Sequence, residues 1–167
     1  MPLKKLPSPP VVKSSRHSKI TGDFGEALVL YALSRHGYEC ARVDHTGIDI
    51  IARQPSGPTV LGISVKTRSR SDAATGTQLN VRKSDIAKAE QACAAFNCTP
   101  YFAIVIDEDR HLRVMLLSLE RFLELCPGGA KVSAWRMGPK HVAAYRADAQ
   151  IQFLEFERRT VRWAGAS

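Results

Sequence analysis

Asp49 and Lys66 are, by type and by place, the residues of this chain best suited to act on a phosphate ester. Asp49 lies near the start of the apolar run Gly47-Ile48-Asp49-Ile50-Ile51-Ala52, and Lys66 closes the run Leu61-Gly62-Ile63-Ser64-Val65-Lys66, 17 residues further on. Two apolar strands joined by a turn would hold this carboxylate and this ammonium at neighbouring strand ends. Metal-assisted cleavage of a phosphodiester needs carboxylate oxygens for a hard divalent ion, commonly Mg²⁺, a water positioned on that ion, and a cation facing the phosphate. Glu26 can supply a second carboxylate, Lys66 the cation, and the backbone carbonyl of Val65 a further metal ligand. Alternation along a strand sets Ser64 and Lys66 on one face, so both can meet Asp49 across a strand pair.

The elements that must position these groups follow from the pattern around them. A helix is expected from Thr21 or Asp23 to His36, with Phe24, Ala27, Leu28, Tyr31 and Ala32 as its apolar stripe. Thr21 or Asp23 would cap it, Gly37 would end it, and Glu26 would sit in its first turns, where the helix dipole alone accounts for an acid. Tyr38–Val43 reads as a short strand and Ile48–Arg53 as a buried one. Gln54-Pro55-Ser56-Gly57-Pro58 reverses the chain, and Val60–Lys66 returns antiparallel.

Residues 67–78 are polar and read as a loop, followed by a strand fragment at Leu79–Val81 and a helix from Ser84 to Phe96. Tyr101–Ile106 and Leu112–Leu117 are apolar strands about an Asp107–Arg110 turn, with a short helix from Ser118 to Leu125 after them. Beyond Lys131 the periodicity is mixed. The whole is an α/β pattern, and 167 residues suit one domain.

The net charge is +8, and five of those charges, Lys4, Lys5, Lys13, Arg16 and Lys19, fall in the first twenty residues with no acid among them. Residues 1–19, rich in proline and serine, read as a disordered basic arm, either a partner for a polyanion or a solubilising tail. No apolar run approaches the roughly 18–20 residues of a membrane span, and no apolar leader follows the N-terminal lysines. The cysteines Cys40, Cys93, Cys98 and Cys126 have neither zinc nor redox spacing and read as reduced, mostly buried thiols. A cytoplasmic protein with no membrane association and no small-molecule cofactor is expected.

Taken in order, Gly22-Asp23-Phe24-Gly25-Glu26, Thr46-Gly47-Ile48-Asp49-Ile50-Ile51-Ala52, Val65-Lys66-Thr67, the helix near Ala87–Phe96 and Pro100-Tyr101-Phe102-Ala103-Ile104 resemble the PD-(D/E)xK nuclease superfamily. The likeness is to its Holliday-junction resolvase and restriction-endonuclease-like branch, and it spans about residues 20–106. It implies an αβββαβ core with a mixed central sheet flanked by helices, residues 107–167 being an extension within one domain spanning 20–167. It further implies a DNA endonuclease using Mg²⁺, or Mn²⁺ in its place, in repair or recombination, and acting as a homodimer. By the resemblance Glu26 is the helix carboxylate, Asp49 the strand carboxylate and Lys66 the active-site lysine.

Ser64 stands where that family carries Glu, Asp or Gln. Either Glu26 and Asp49 suffice, with Asp44 as an auxiliary, or the site has lost hydrolysis and kept DNA binding, or the serine is an engineered replacement. Arg68, Arg70, Arg82 and Lys83 flank the site and can clamp a phosphate backbone. Gln78 is placed near it. His45 and Asp44 read first as turn residues, the acids of 107–109 as a hairpin turn rather than a metal loop, and Trp135 and Trp163 as packing residues.

Overall fold

The structure is a computed structural model, and it describes residues 12–70, 77–108 and 110–159. Its elements run α1 (His17–Arg35), β1 (Glu39–His45), β2 (Ile48–Arg53), β3 (Val60–Ser69), β4 (Gln78–Arg82), α2 (Lys83–Phe96), β5 (Thr99–Asp107), β6 (His111–Ser118), α3 (Leu119–Leu125), β7 (Val132–Arg136), α4 (Pro139–Ala147) and β8 (Gln152–Glu157). Six strands form one mixed sheet in the order β1-β2-β3-β5-β6-β8, and β4 and β7 form a separate two-stranded sheet. Only β3 and β5 pair in parallel within the large sheet. A parallel pair needs a long crossover, and β4 with α2 supplies it.

β5 lies inside the sheet, and its near-continuous apolar run serves both faces. Ala103 and Val105 pack with Val29 and Leu33 of α1. Phe102, Ile104 and Ile106 pack on the other side with Ile86 of α2, Phe122 of α3, Trp135 of β7 and Tyr145 of α4. The expected αβββαβ order is present, with β4 interposed. The segment after residue 106 is more than an appendage, because β6 and β8 continue the same sheet.

α1 begins at His17, inside the stretch expected to be a disordered arm, and it has no side-chain cap. Thr21 and Asp23 therefore do not cap it. Thr21 Oγ1 donates to the His17 carbonyl at 2.7 Å, and Asp23 pairs with Lys19 at 3.2 Å, both within the helix. Glu26 consequently lies in mid-helix, where the dipole does not explain an acid. The buried stripe is Gly25, Val29, Ala32 and Leu33, while Phe24 and Tyr31 face outward. Gly25 sets the stripe: a Cβ there would collide with Thr67 Oγ1 of β3, so its absence lets α1 lie against that strand. The helix ends as expected. Gly37 takes φ +85°, its amide meets the Ser34 carbonyl, and the Tyr38 amide reaches Leu33 at 3.1 Å, a Schellman closure.

β3 runs on to Ser69, so residues 67–69 are strand and not loop. Thr67, Arg68 and Ser69 pair with Val105, Ile106 and Asp107, and pairing to a buried central strand overrides local polarity. α2 starts at Lys83, one residue before the expected start, without a side-chain cap, and Phe96 at its end is exposed. Asn97, at φ 52°, closes it.

The Asp107–Arg110 segment is a hairpin turn, with the Glu108 amide donating to the His111 carbonyl at 2.8 Å; Asp109 lies outside the described residues. Trp135 is fully buried, stacked on Tyr145 with ring centres 3.9 Å apart. Trp163, most of the N-terminal arm and residues 71–76 also fall outside the described residues. All four cysteines are free thiols. No helix among the described residues is long and apolar enough to cross a membrane.

Candidate active site around Asp49

The site forms where β2 and β3 stop pairing. Their ladder runs from Arg53 opposite Val60 to Ile50 opposite Ile63. One residue beyond, the Asp49 side chain takes over from the backbone, and its Oδ2 accepts the Val65 amide at 2.6 Å. Asp49 Oδ1 accepts no hydrogen bond among the described residues. Gly47, at φ +103°, brings the chain into β2 so close to α2 that a Cβ would strike the Lys88 carbonyl.

Burial raises the Asp49 carboxyl above the ordinary aspartate value. The Val65 amide opposes that rise, the Glu26 charge adds to it, and the charges of Lys66 and Arg42 lower it. Glu26 and Lys66, the other two residues singled out from the sequence, thus both act on Asp49. Three carboxylates, Glu26, Asp49 and Asp44, line a cleft with Arg42, Val43 and His45.

Neighbours missing from the sequence reading alter this picture. Arg42 of β1 clasps Glu26 at 2.6 Å, a guanidinium beside a carboxylate that would otherwise face Asp49. Lys66 turns its ammonium toward Asp85 in the first turn of α2, at 3.6 Å. No local pattern marks Arg42, which sits on an edge strand 16 residues from its partner. Asp85 carried one faint signal, an acid opening the helix that follows the lysine strand.

Ser64 is buried at 3% exposure and lies opposite Phe102 of β5. Among the described residues no group of three or more His, Cys, Asp or Glu side chains comes together as a metal cage. The carboxylates of Asp49 and Glu26 and the Val65 carbonyl are hard oxygen donors. They fit a magnesium ion that keeps several of its own waters, which is how this ion is commonly held.

The flanking bases divide. Arg68 and Arg82 are exposed and Lys83 is half-buried, and none of the three has an ion-pair partner among the described residues. Arg70 is different. It is buried at 7% exposure, its Nε donates to Glu108 at 2.9 Å and its Nη2 to the Met137 carbonyl at 3.0 Å, so it is a structural arginine and not a phosphate clamp. It points inward because β3 continues past Lys66 and carries Arg70 to the β5–β6 turn. Gln78 lies on β4, bonded to Asn80. His45 ends β1 opposite Ile48 and packs edge-on against Phe96 with ring centres 5.0 Å apart, so it and Asp44 belong to the strand and not to the turn. Asp44 lines the cleft without a resolved partner.

No family model matches the chain, and no curated protein matches it. Among solved structures it is similar to Hjc of Archaeoglobus fulgidus, a Holliday junction resolvase from an archaeal hyperthermophile. The TM-score is 0.50 at 17% identity, over 71% of this chain and 91% of that one. At such low identity the likeness establishes the fold, a mixed α/β arrangement whose central sheet is flanked by helices.

Proposed function

We propose that the protein is a metal-dependent DNA endonuclease with a restriction-endonuclease-like fold and a PD-(D/E)xK-type site, acting on branched DNA in repair or recombination. Asp49 carries the reading: its carboxylate sits where two strands part, and Glu26, Lys66 and Arg42 all act on it. The shared fold with a resolvase supports the choice of DNA as substrate.

Asp49, Glu26 and the Val65 carbonyl would hold Mg²⁺, or Mn²⁺ in its place. Such an ion, when bound, supplies Lewis-acid polarisation of the phosphate and a water of lowered pKa. Lys66, steadied by Asp85, presents an ammonium to offset charge gathering on the phosphate. Arg68, Arg82 and Lys83 contact the flanking backbone. Ser64 contributes a neutral hydroxyl where a third carboxylate would stand. A homodimer in the cytoplasm would present two such sites to the two strands of a junction, and the free thiols suit that compartment.

A second reading is favoured by two observations, the serine at 64 and the guanidinium on Glu26. In it the fold and the DNA surface remain and hydrolysis is lost. Incubating a labelled four-way junction and a linear duplex with Mg²⁺ or Mn²⁺ separates the two. The endonuclease reading expects cleavage by the parent, lost on the order of a hundredfold or more in Asp49→Ala and Lys66→Ala. A parent that binds but never cuts, while Ser64→Glu does, would establish the disabled site instead.

A further inference from the structure

Six of the fourteen described arginines are matched to acids, Arg158 meeting Asp107 among them. Arg42 meets Glu26, Arg70 and Arg113 meet Glu108, Arg121 meets Asp148, and Arg146 meets Glu155. The two-stranded sheet gathers bases without such partners among the described residues on one face that has no acid. Its inner face, Leu79, Val81, Ser133 and Trp135, is buried against the core. Its outer face carries Gln78, Asn80, Arg82 and Arg136, all exposed. Lys131 precedes β7, and Lys140 opens α4, both exposed. Residues 126–147 contain no acid, nor do residues 77–84. None of Arg82, Lys131, Arg136 and Lys140 has an ion-pair partner among the described residues.

We propose that the outer face of the β4–β7 sheet is a duplex-DNA docking surface, with Arg82, Lys131, Arg136 and Lys140 on the phosphate backbone. The inference rests on the reading of the chain as a DNA-acting protein and adds the element that grips the duplex beside the site.

The register supports an extended polyanion as the occupant. Arg82 pairs across from Val132 and Gln78 from Arg136, so the two arginines mark opposite ends of the ribbon. At a strand rise of about 3.3 Å per residue the four-residue offset is roughly 13 Å. That span covers about four phosphates of one DNA strand along the helix axis, at about 3.4 Å each. A two-stranded ribbon of this kind is also an element that the major groove admits, and the amides of Gln78 and Asn80 lie between the arginines. The surface is continuous with the site. Arg82 leads directly into α2, whose Asp85 holds Lys66.

The test compares the parent with a Lys131→Ala/Arg136→Ala/Lys140→Ala variant by fluorescence anisotropy, using a labelled four-way junction and a labelled duplex over a range of salt. All three side chains are exposed, so an unchanged melting temperature is expected, and the single charge reversal Arg136→Glu provides an independent variant. The expected result is affinity reduced about tenfold or more at low salt, with the slope of log K against log salt shallower by about three. Parent-like affinity and slope in both variants would overturn the docking surface and leave the nuclease reading standing. A parent that binds neither DNA at low salt would overturn both.

Discussion

Replacing Glu108 with alanine is expected to destabilise the protein by about 3–5 kcal/mol, the usual cost of removing one partner from a buried ion pair. The Arg70 and Arg113 side chains are 4% and 9% exposed, and both close on this one carboxylate. Arg113 also donates to Glu155 at 2.5 Å, and Glu155 in turn holds Arg146. The network therefore joins the end of β3, the β5–β6 turn, β8 and α4. Without Glu108, the Arg70 and Arg113 guanidiniums, both largely shielded from water, would lose the carboxylate they share, while Arg113 would keep Glu155.

In urea the midpoint should fall with little change in the slope of unfolding free energy against denaturant. In a chain of this size the melting temperature should drop by about 6–20 °C. Glu108→Gln should lose less, because an amide oxygen still accepts a hydrogen bond.

The same network sets an acid dependence. Burial alone would raise the Glu108 carboxyl, but hydrogen bonds and charge from Arg113 and Arg70 outweigh it and hold the group below the ordinary glutamate value. Glu155 is lowered in the same way by Arg113 and Arg146 against its own burial. A depressed carboxyl contributes stability that is present above its unfolded value and is lost as pH falls through the folded one. The acid limb of the stability curve should therefore be shallower in Glu108→Ala than in the parent.

Ser64→Glu is expected to have opposite effects without and with a divalent ion. Without one, a carboxylate is placed at a position only 3% exposed, and unpaired buried charge of this kind costs about 2–4 kcal/mol. With Mg²⁺ at a hundred times its dissociation constant, about 2.7 kcal/mol should return through binding to the folded state alone. Thermal melts of the variant with Mg²⁺ and with chelator would show this recovery, several degrees larger than in the parent. A variant destabilised to the same extent in both conditions would place residue 64 outside any cation site.

The first three strands and the β5–β6 hairpin were legible because buried strands leave apolar runs, Phe102–Ile106 being buried on both faces, whereas β7 and β8 were not. Gly37 gave the end of α1 because only a residue tolerant of positive φ closes a helix that way. The start of α1 was not legible. The Lys19–Asp23 pair and the Thr21 back-bond work inside a helix, yet the same residue types mark caps.

Asp49 and Lys66 could be read because chemistry-bearing side chains stand out at the ends of apolar strands. Arg42 and Asp85 could not be assigned their roles, since each acts through a partner brought near only by the folded sheet. The β4–β7 sheet was invisible for a related reason. Its two strands are five residues each and pair across some fifty residues of chain, and a pairing so distant leaves no local pattern. Arg70 was misread because strand β3 was expected to end at Lys66.

The central claim is that Asp49 and Glu26 form a cation site at the parting of β2 and β3. Calorimetric titration of the DNA-free protein with Mn²⁺, set against Asp49→Asn and Glu26→Gln, tests it most directly. The account predicts binding by the parent near one ion per chain, weakened by about tenfold or more in each variant. Mn²⁺ binding of equal strength in all three proteins, or none in the parent, would contradict it.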